Sequence, residues 1–249
     1  MMLKLYTEDS ISRIITFDVV NPEKTMRPTV INSTVTTQGE TLAINRVMRN
    51  TYFLLSMTLI FSAIMAIFSV HTNAQPGFLV LIVGMFGFYF LTMSLRNSVW
   101  GIAAIFGYTG FMGYILGPIL NMYLHTYVNG MALIATAFGT TGIIFLALSA
   151  YALITRKDFS YLGGFFMVAI LAAFLLSIAG IFFHMPALQL LISGAFAVLM
   201  SAFILYQTSA LIHGGERNYI VATIGLYISI FNLFVSLLQI LGAFAGNRR

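Results

Sequence analysis

The sequence predicts an all-α polytopic membrane protein, a bundle of seven transmembrane helices preceded by a flexible N-terminal cytosolic tail. Hydrophobic residues make up 59% of the 249 residues and charged residues only 8%. The 12 Lys and Arg and the 7 Asp and Glu residues all lie outside seven long apolar stretches. A helix of about 20 apolar residues crosses the hydrocarbon layer of a bilayer, so each stretch is long enough to span it.

The positions of the seven spans follow from the hydropathy along the chain. The predicted spans are residues 51–70, 77–95, 99–123, 131–155, 161–184, 187–212 and 219–246. They divide the chain into a tail, residues 1–46, and a transmembrane domain, residues 47–249. The tail mixes five acidic with five basic residues and has few apolar residues to bury. This composition predicts a flexible segment without a core of its own.

Basic residues alternate along the connections between the spans. They precede the first span and occur in the second, fourth and sixth connections, whereas the first, third and fifth have none: Lys4, Arg13, Lys24, Arg27, Arg46, Arg49, Arg96, Arg156, Lys157 and Arg217. Because basic residues near span ends stay in the cytoplasm, the N-terminus is predicted there and the C-terminus on the other side. Arg248 and Arg249 favour the opposite side for the C-terminus, which leaves a re-entrant last span as the alternative.

Composition and motifs argue against several other classes of protein. The net charge of +5 is spread over the span ends, without the dense basic patch of a nucleic-acid interface. The absence of cysteine excludes disulfides, thiolate nucleophiles and cysteine-based metal sites. The sequence contains no H-E-x-x-H motif, no G-x-S-x-G elbow, no P-loop and no acidic pair inside a span. We therefore expect no enzyme, no catalytic residue, no cofactor and no metal site.

Small residues lie along one face of the third span. Gly110, Gly113 and Gly117 follow helical spacing, and the last two form a G-x-x-x-G motif. Pro118 follows at once and predicts a kink or break, because proline cannot donate a backbone hydrogen bond. Helix packing is the expected role of these four residues. A broken helix that lines a cavity is the alternative.

The last two spans each have a polar face. The face of the seventh consists of Gly225, Ser229, Asn232, Ser236 and Gln239. The face of the sixth consists of Ser193, Ala197, Ser201 and Thr208, with Gln207 about 100° to its side. We expect these faces to meet and to form hydrogen bonds between the helices. A hydrated path or a ligand pocket is the alternative.

Several motifs resemble the Bax inhibitor family of seven-span membrane proteins, from about residue 46 to the end of the chain. They are Gly117-Pro-Ile-Leu, Ala137-x-x-x-Thr-Gly-Ile-Ile-Phe, Tyr206-Gln-Thr and Leu226-Tyr-Ile-Ser-x-x-Asn-Leu-Phe. Four further motifs are similar to a bacterial inner-membrane branch of this family. They are Arg49-Asn-Thr-Tyr-Phe-Leu-Leu-Ser, Gly110-Phe-Met-Gly-Tyr-Ile-Leu-Gly-Pro-Ile-Leu-Asn, Thr155-Arg-Lys-Asp and His213-Gly-Gly-Glu.

The resemblance to this branch implies a function without catalysis. Its members modulate FtsH, a membrane-anchored ATP-dependent protease, and are both slowly degraded substrates and inhibitors of it. The implied partners are FtsH with its associated regulators, and the lipid bilayer. The implied site of engagement is the cytosolic N-terminal tail. The implied location is the bacterial inner membrane, with the N-terminus cytoplasmic and the C-terminus periplasmic.

The family also includes calcium leak channels, which provide the alternative function. Their gate resembles a pair of carboxylates on the last two spans, and Gln207 and Ser229 stand at those positions here. Neither side chain titrates, although both can form hydrogen bonds. The channels also carry a basic residue on the second span. The only basic residue near that span here is Arg96, at its end. With Asn232, these residues are candidates for a gate or an interhelical polar contact. Calcium or protons would be ligands only under this alternative.

Overall fold

The computed structural model of the protein describes residues 31–182 and 186–246. These residues form seven α-helices and a short 3-10 turn, Ser160–Leu162. The helices are α1 (Ile31–His71), α2 (Phe78–Leu95), α3 (Trp100–Thr126), α4 (Gly130–Thr155), α5 (Gly163–Phe182), α6 (Pro186–Ile212) and α7 (Tyr219–Phe244). The predicted all-α fold is confirmed, with one helix at each predicted span. Residues 183 and 184 of the predicted fifth span lie outside the described residues.

Most of these helices satisfy the requirements for crossing a membrane. Among the described residues, six helices are long and apolar enough: α1 from Leu42 onward, α2, α3, α4, α6 from Ala187 onward, and α7. The described apolar segment at the start of α5, Ser160–Ala173, is shorter. The chain is therefore a polytopic membrane protein, as predicted.

The first helix is longer than the span predicted within it. α1 begins at Ile31, and no proline interrupts it before it ends at His71. The chain divides into two units, residues 1–39 and residues 40–249. Most of the predicted tail, residues 1–30, lies outside the described residues. The described part of the predicted tail, residues 31–46, is helical.

The core of the bundle is centred on α7. This helix has buried residues along its whole length, and Leu226, Tyr227, Leu233 and Leu238 are almost completely inaccessible. It packs against α3, α4 and α6, whereas α2 packs on α3 and α5 packs on α6. α2 buries only Thr92 and exposes large apolar side chains, as a helix in contact with lipid does. Polar residues of α7 are therefore placed where other helices can hydrogen-bond to them.

The connections that carry Lys or Arg meet at one end of the bundle, which we call the basic end. The side-chain amide of Asn218, between α6 and α7, donates to the carbonyl oxygen of Arg96 and to Oδ1 of Asn97, at 2.9 Å each. The His213 ring at the start of the same connection lies 3.1 Å from the carbonyl oxygen of Arg156. The second, fourth and sixth connections thus share one end, which is the arrangement that alternating charge predicts.

Candidate functional site

Gln207 and Ser229 face each other across α6 and α7. The Ser229 hydroxyl lies 3.4 Å from Oε1 of Gln207 and 3.0 Å from the carbonyl oxygen of Gly225. It has one proton for two acceptors, and the shorter contact lies within its own helix. A Cβ at Gly225 would lie 2.9 Å from Nε2 of Gln207, so the glycine makes room for this amide. The two helices are thus joined here by a long hydrogen bond between neutral groups.

A cavity of about 360 Å³ adjoins this pair. It lies between α2, α6 and α7 and extends from Gln207 to Gly215 and Glu216 at the basic end. The polar side chains in its wall are those of Tyr89, Tyr206, Gln207 and Glu216. One carboxylate oxygen of Glu216 accepts a hydrogen bond of 2.8 Å from the backbone N–H of Asn218. The cavity therefore connects the Gln207 amide with a carboxylate at the end of the bundle.

In the part of the chain that the structure describes, the other two candidates for a gate form no hydrogen bond with this pair. Asn232 donates from its side chain to the carbonyl oxygen of Ile228 on its own helix, at 2.8 Å. Arg96 follows the last residue of α2 at the basic end. The structure therefore brings Gln207 and Ser229 together, but it forms no cluster of all four. Within residues 31–182 and 186–246, no group of three His, Cys, Asp or Glu side chains could hold a metal ion.

The polar faces of α6 and α7 also meet near the opposite end of the bundle. The Ser193 hydroxyl lies 2.6 Å from Oε1 of Gln239 and 2.8 Å from the carbonyl oxygen of Gln189. Thr208 instead contacts α1, where its hydroxyl lies 3.4 Å from that of Tyr52. The polar face of α6 therefore contacts two neighbouring helices, α1 and α7.

One deeply buried interhelical contact was missed by the sequence analysis. Tyr227 of α7 is only 1% exposed, and its hydroxyl donates to the carbonyl oxygen of Thr109 in α3 at 3.2 Å. The Ser62 hydroxyl of α1 lies 2.6 Å from the same phenol oxygen. The sequence does contain a polar stripe that could have indicated this contact. It lies on one face of α1 and consists of Thr51, Thr58, Ser62 and Ser69. All four residues are buried in the structure.

The glycine face of α3 packs against this stripe. A Cβ at Gly113 would lie 2.8 Å from Oγ of Ser62 and closer still to the Ser62 carbonyl group. A Cβ at Gly117 would overlap the Ser69 side chain, and one at Gly110 would lie 2.5 Å from a ring carbon of Phe61. The absence of side chains at these three positions therefore permits the close approach of α1 and α3.

Pro118 does not break α3, which continues from Trp100 to Thr126. Proline has no N–H to donate to the carbonyl group four residues earlier, which is that of Tyr114. The Ser69 hydroxyl of α1 donates to this carbonyl oxygen at 2.7 Å. A neighbouring helix thus supplies the missing hydrogen bond, which is how proline is tolerated within a membrane helix. The broken helix considered as an alternative is not present.

These features define a polytopic helical membrane protein whose spans are joined by uncharged hydrogen-bonding groups. Residues 44–246 match the family Bax1-I, described as "Inhibitor of apoptosis-promoting Bax1", and the chain belongs to this family. The predicted family resemblance is confirmed.

Individual relatives are similar over most of their length. The chain is 52% identical over 202 residues to the Escherichia coli protein named "Modulator of FtsH protease YccA", which covers 81% of this chain and 91% of the relative. It is 50% identical over 218 residues to an uncharacterized protein of Pseudomonas aeruginosa, and the match covers 87% of this chain and 96% of the relative. It is 43% identical over 209 residues to an uncharacterized membrane protein of Vibrio cholerae, and the match covers 83% of this chain and 93% of the relative.

Proposed function

We propose that the protein is a modulator of FtsH in the bacterial inner membrane, and a slowly degraded substrate of this protease that is engaged through its N-terminal tail. The observation that carries the proposal is the 52% identity to the E. coli protein named as an FtsH modulator. No catalytic step is part of this function. Association with further regulators of FtsH and a cytoplasmic N-terminus belong to the same proposal.

The packing of α1 supports slow degradation. A protease that begins at the N-terminal tail must extract α1 before any other helix. α1 is hydrogen-bonded through Ser62 to α7 and through Ser69 to α3. The Thr223 hydroxyl of α7 also lies 3.3 Å from the Thr51 carbonyl oxygen of α1, and its shorter contact, at 2.6 Å, is with the Tyr219 carbonyl oxygen of its own helix. Groups separated in lipid find no water to replace these partners, so α1 resists extraction.

Tyr227→Phe tests this proposal. We expect the free energy of unfolding in detergent to fall by about 0.6 to 2 kcal/mol, because the variant loses its hydrogen bonds to α1 and α3. In cells that contain FtsH, the half-life of the variant should then be shorter than that of the wild type. In cells without FtsH, the two half-lives should be equal.

The matched control for this experiment is Tyr151→Phe, which removes the same hydroxyl from a side chain that is 45% exposed. It should change neither stability nor half-life. A Tyr227→Phe variant that is destabilised in detergent but decays at the same rate with and without FtsH would overturn the proposed function.

The calcium-leak alternative can be tested at the Gln207–Ser229 pair. We expect vesicles that contain the protein to show the same calcium permeability at about pH 6 as at about pH 8, because neither side chain changes charge in this range. Gln207→Ala should leave the permeability unchanged. An entrapped calcium-sensitive dye measures the flux, with protein-free vesicles as the control. A pH-dependent flux that Gln207→Ala abolishes would contradict the prediction and support a channel.

A further inference from the structure

Two of the family-like motifs, residues 155–158 and residues 213–216, meet at the basic end of the bundle. Arg156 ends α4 in a left-handed backbone conformation with φ of 50°, which is uncommon for a residue other than glycine. His213 directly follows the last residue of α6. Its Nε2 lies 3.1 Å from the carbonyl oxygen of Arg156. The contact joins the connection between α4 and α5, residues 156–162, to the end of α6.

Both ring nitrogens of His213 face carbonyl oxygens. Nδ1 lies 2.9 Å from the carbonyl oxygen of Ser209, and Nε2 faces that of Arg156. A carbonyl oxygen can only accept a hydrogen bond, so both contacts require an N–H on the ring. A neutral imidazole has one N–H, whereas an imidazolium has two. The two contacts are therefore satisfied together only when His213 is protonated.

The Ser209 hydroxyl also lies near the ring of His213. Its hydrogen bonds do not change this conclusion. It donates to the carbonyl oxygen of Lys157 and accepts from the backbone N–H of Phe159, both at 3.0 Å. Its single proton is thus engaged, and toward Nδ1 of His213, at 3.4 Å, it can act only as an acceptor. Ser209 also holds the connection in place independently of pH.

We propose that His213 is a proton-dependent latch, which tightens the connection between α4 and α5 against the end of α6 when protonated and loosens it when neutral. Histidine is the side chain that ordinarily changes charge between about pH 5 and 8. Without the second proton, one ring nitrogen presents its lone pair to a carbonyl oxygen, and that contact becomes repulsive. The backbone at Arg156, next to Lys157, is then held by one hydrogen bond fewer.

Charged groups of both signs lie at the end of the bundle that carries the latch. Hydrogen bonds from Ser160, including one of 2.8 Å from its backbone N–H, hold the pKa of the Asp158 carboxyl below its usual value, and His213 contributes to the same shift. Glu216 is a second acidic residue at this end, and the C-terminal end of α6 carries a partial negative charge. The basic residues at this end are Arg46 and Arg49 on α1, Arg96 after α2, Arg156 and Lys157 after α4, and Arg217 before α7.

The latch can be tested with a spin label on the full-length protein. The chain has no cysteine, so Lys157→Cys provides a single attachment site for a nitroxide. In lipid nanodiscs we expect the label to be less mobile at about pH 5.5 than at about pH 8.5. Adding His213→Gln should make it mobile at both pH values, with complete loss of the pH response. His125→Gln is the matched control, because it removes an exposed histidine from the last turn of α3 and should preserve the response.

Two results would overturn the latch: equal label mobility at both pH values in the otherwise unchanged chain, or a pH response that survives His213→Gln. If His213→Gln does not fold, histidine-selective 15N NMR of the labelled chain replaces it, with assignments from variants at the other three histidines. The midpoint of the His213 titration should then coincide with the midpoint of the mobility change. Different midpoints would also overturn the latch.

Discussion

Removal of residues 1–40 is expected to lengthen the half-life of the protein severalfold in cells that contain FtsH. The sequence predicts no core in residues 1–46, and segments of this kind are where proteolysis commonly begins. The shortened chain retains the apolar part of α1 from Leu42 onward. It also retains Arg46 and Arg49 beside the first span, so the orientation set by basic residues should persist.

The measurement is the decay of the protein after synthesis stops, in cells with and without FtsH. Removal of residues 247–249 is the control at the other terminus and should leave the half-life unchanged. In cells without FtsH, the full-length and shortened chains should decay equally slowly. A shortened chain that inserts into the membrane and decays as fast as the full-length chain would show that degradation does not start at the tail.

Gly113→Leu is expected to cause a larger loss of stability than Tyr227→Phe. Its side chain would have to occupy the position of the Ser62 backbone, which cannot move aside as the tip of a flexible side chain can. Overpacking of this kind costs about 1 to 3 kcal/mol, and more where the neighbouring backbone must shift. Thermal unfolding of the purified protein in detergent measures the loss. The half-life in cells with FtsH should shorten in parallel, because α1 would be held less firmly.

Gly139→Leu is the matched control for this substitution. It makes the same change in α4 at a position where no atom lies within 4 Å of an added Cβ. We expect it to be neutral or slightly stabilising, because glycine disfavours a helix interior. Equal unfolding temperatures for the two variants would mean that α1 and α3 do not approach each other closely at Gly113.

The positions of the spans could be predicted from the sequence because they depend on local hydropathy. The predicted spans at residues 77–95 and 219–246 agree closely with α2, Phe78–Leu95, and α7, Tyr219–Phe244. The start of α1 at Ile31 could not be predicted in this way, since residues 31–41 are rich in Thr, Asn and Ser, which have low helix propensity.

Contacts between helices could be predicted only in part. The pairing of Gln207 with Ser229 was implied by the family resemblance, whereas periodicity placed Gln207 about 100° to the side of the polar face of the sixth span. Periodicity shows which residues share a face. It does not show which distant helix a face will contact, so the contact between Ser62 and Tyr227, 165 residues apart, was missed. The absence of a break in α3 at Pro118 could not be predicted for the same reason, because it depends on a hydroxyl group of another helix.

The central position of α7 has a consequence for biogenesis. α7 is translated after the other six helices, yet its side chains fill the middle of the bundle. Until residues 219–244 have left the ribosome, Ser62 of α1 lacks the phenol that it contacts in the finished protein. The helices that are inserted first therefore lack the side chains of α7 that pack between them in the native bundle. Closure of the core cannot precede the synthesis of α7, so a nascent chain arrested before α7 cannot reach the native packing.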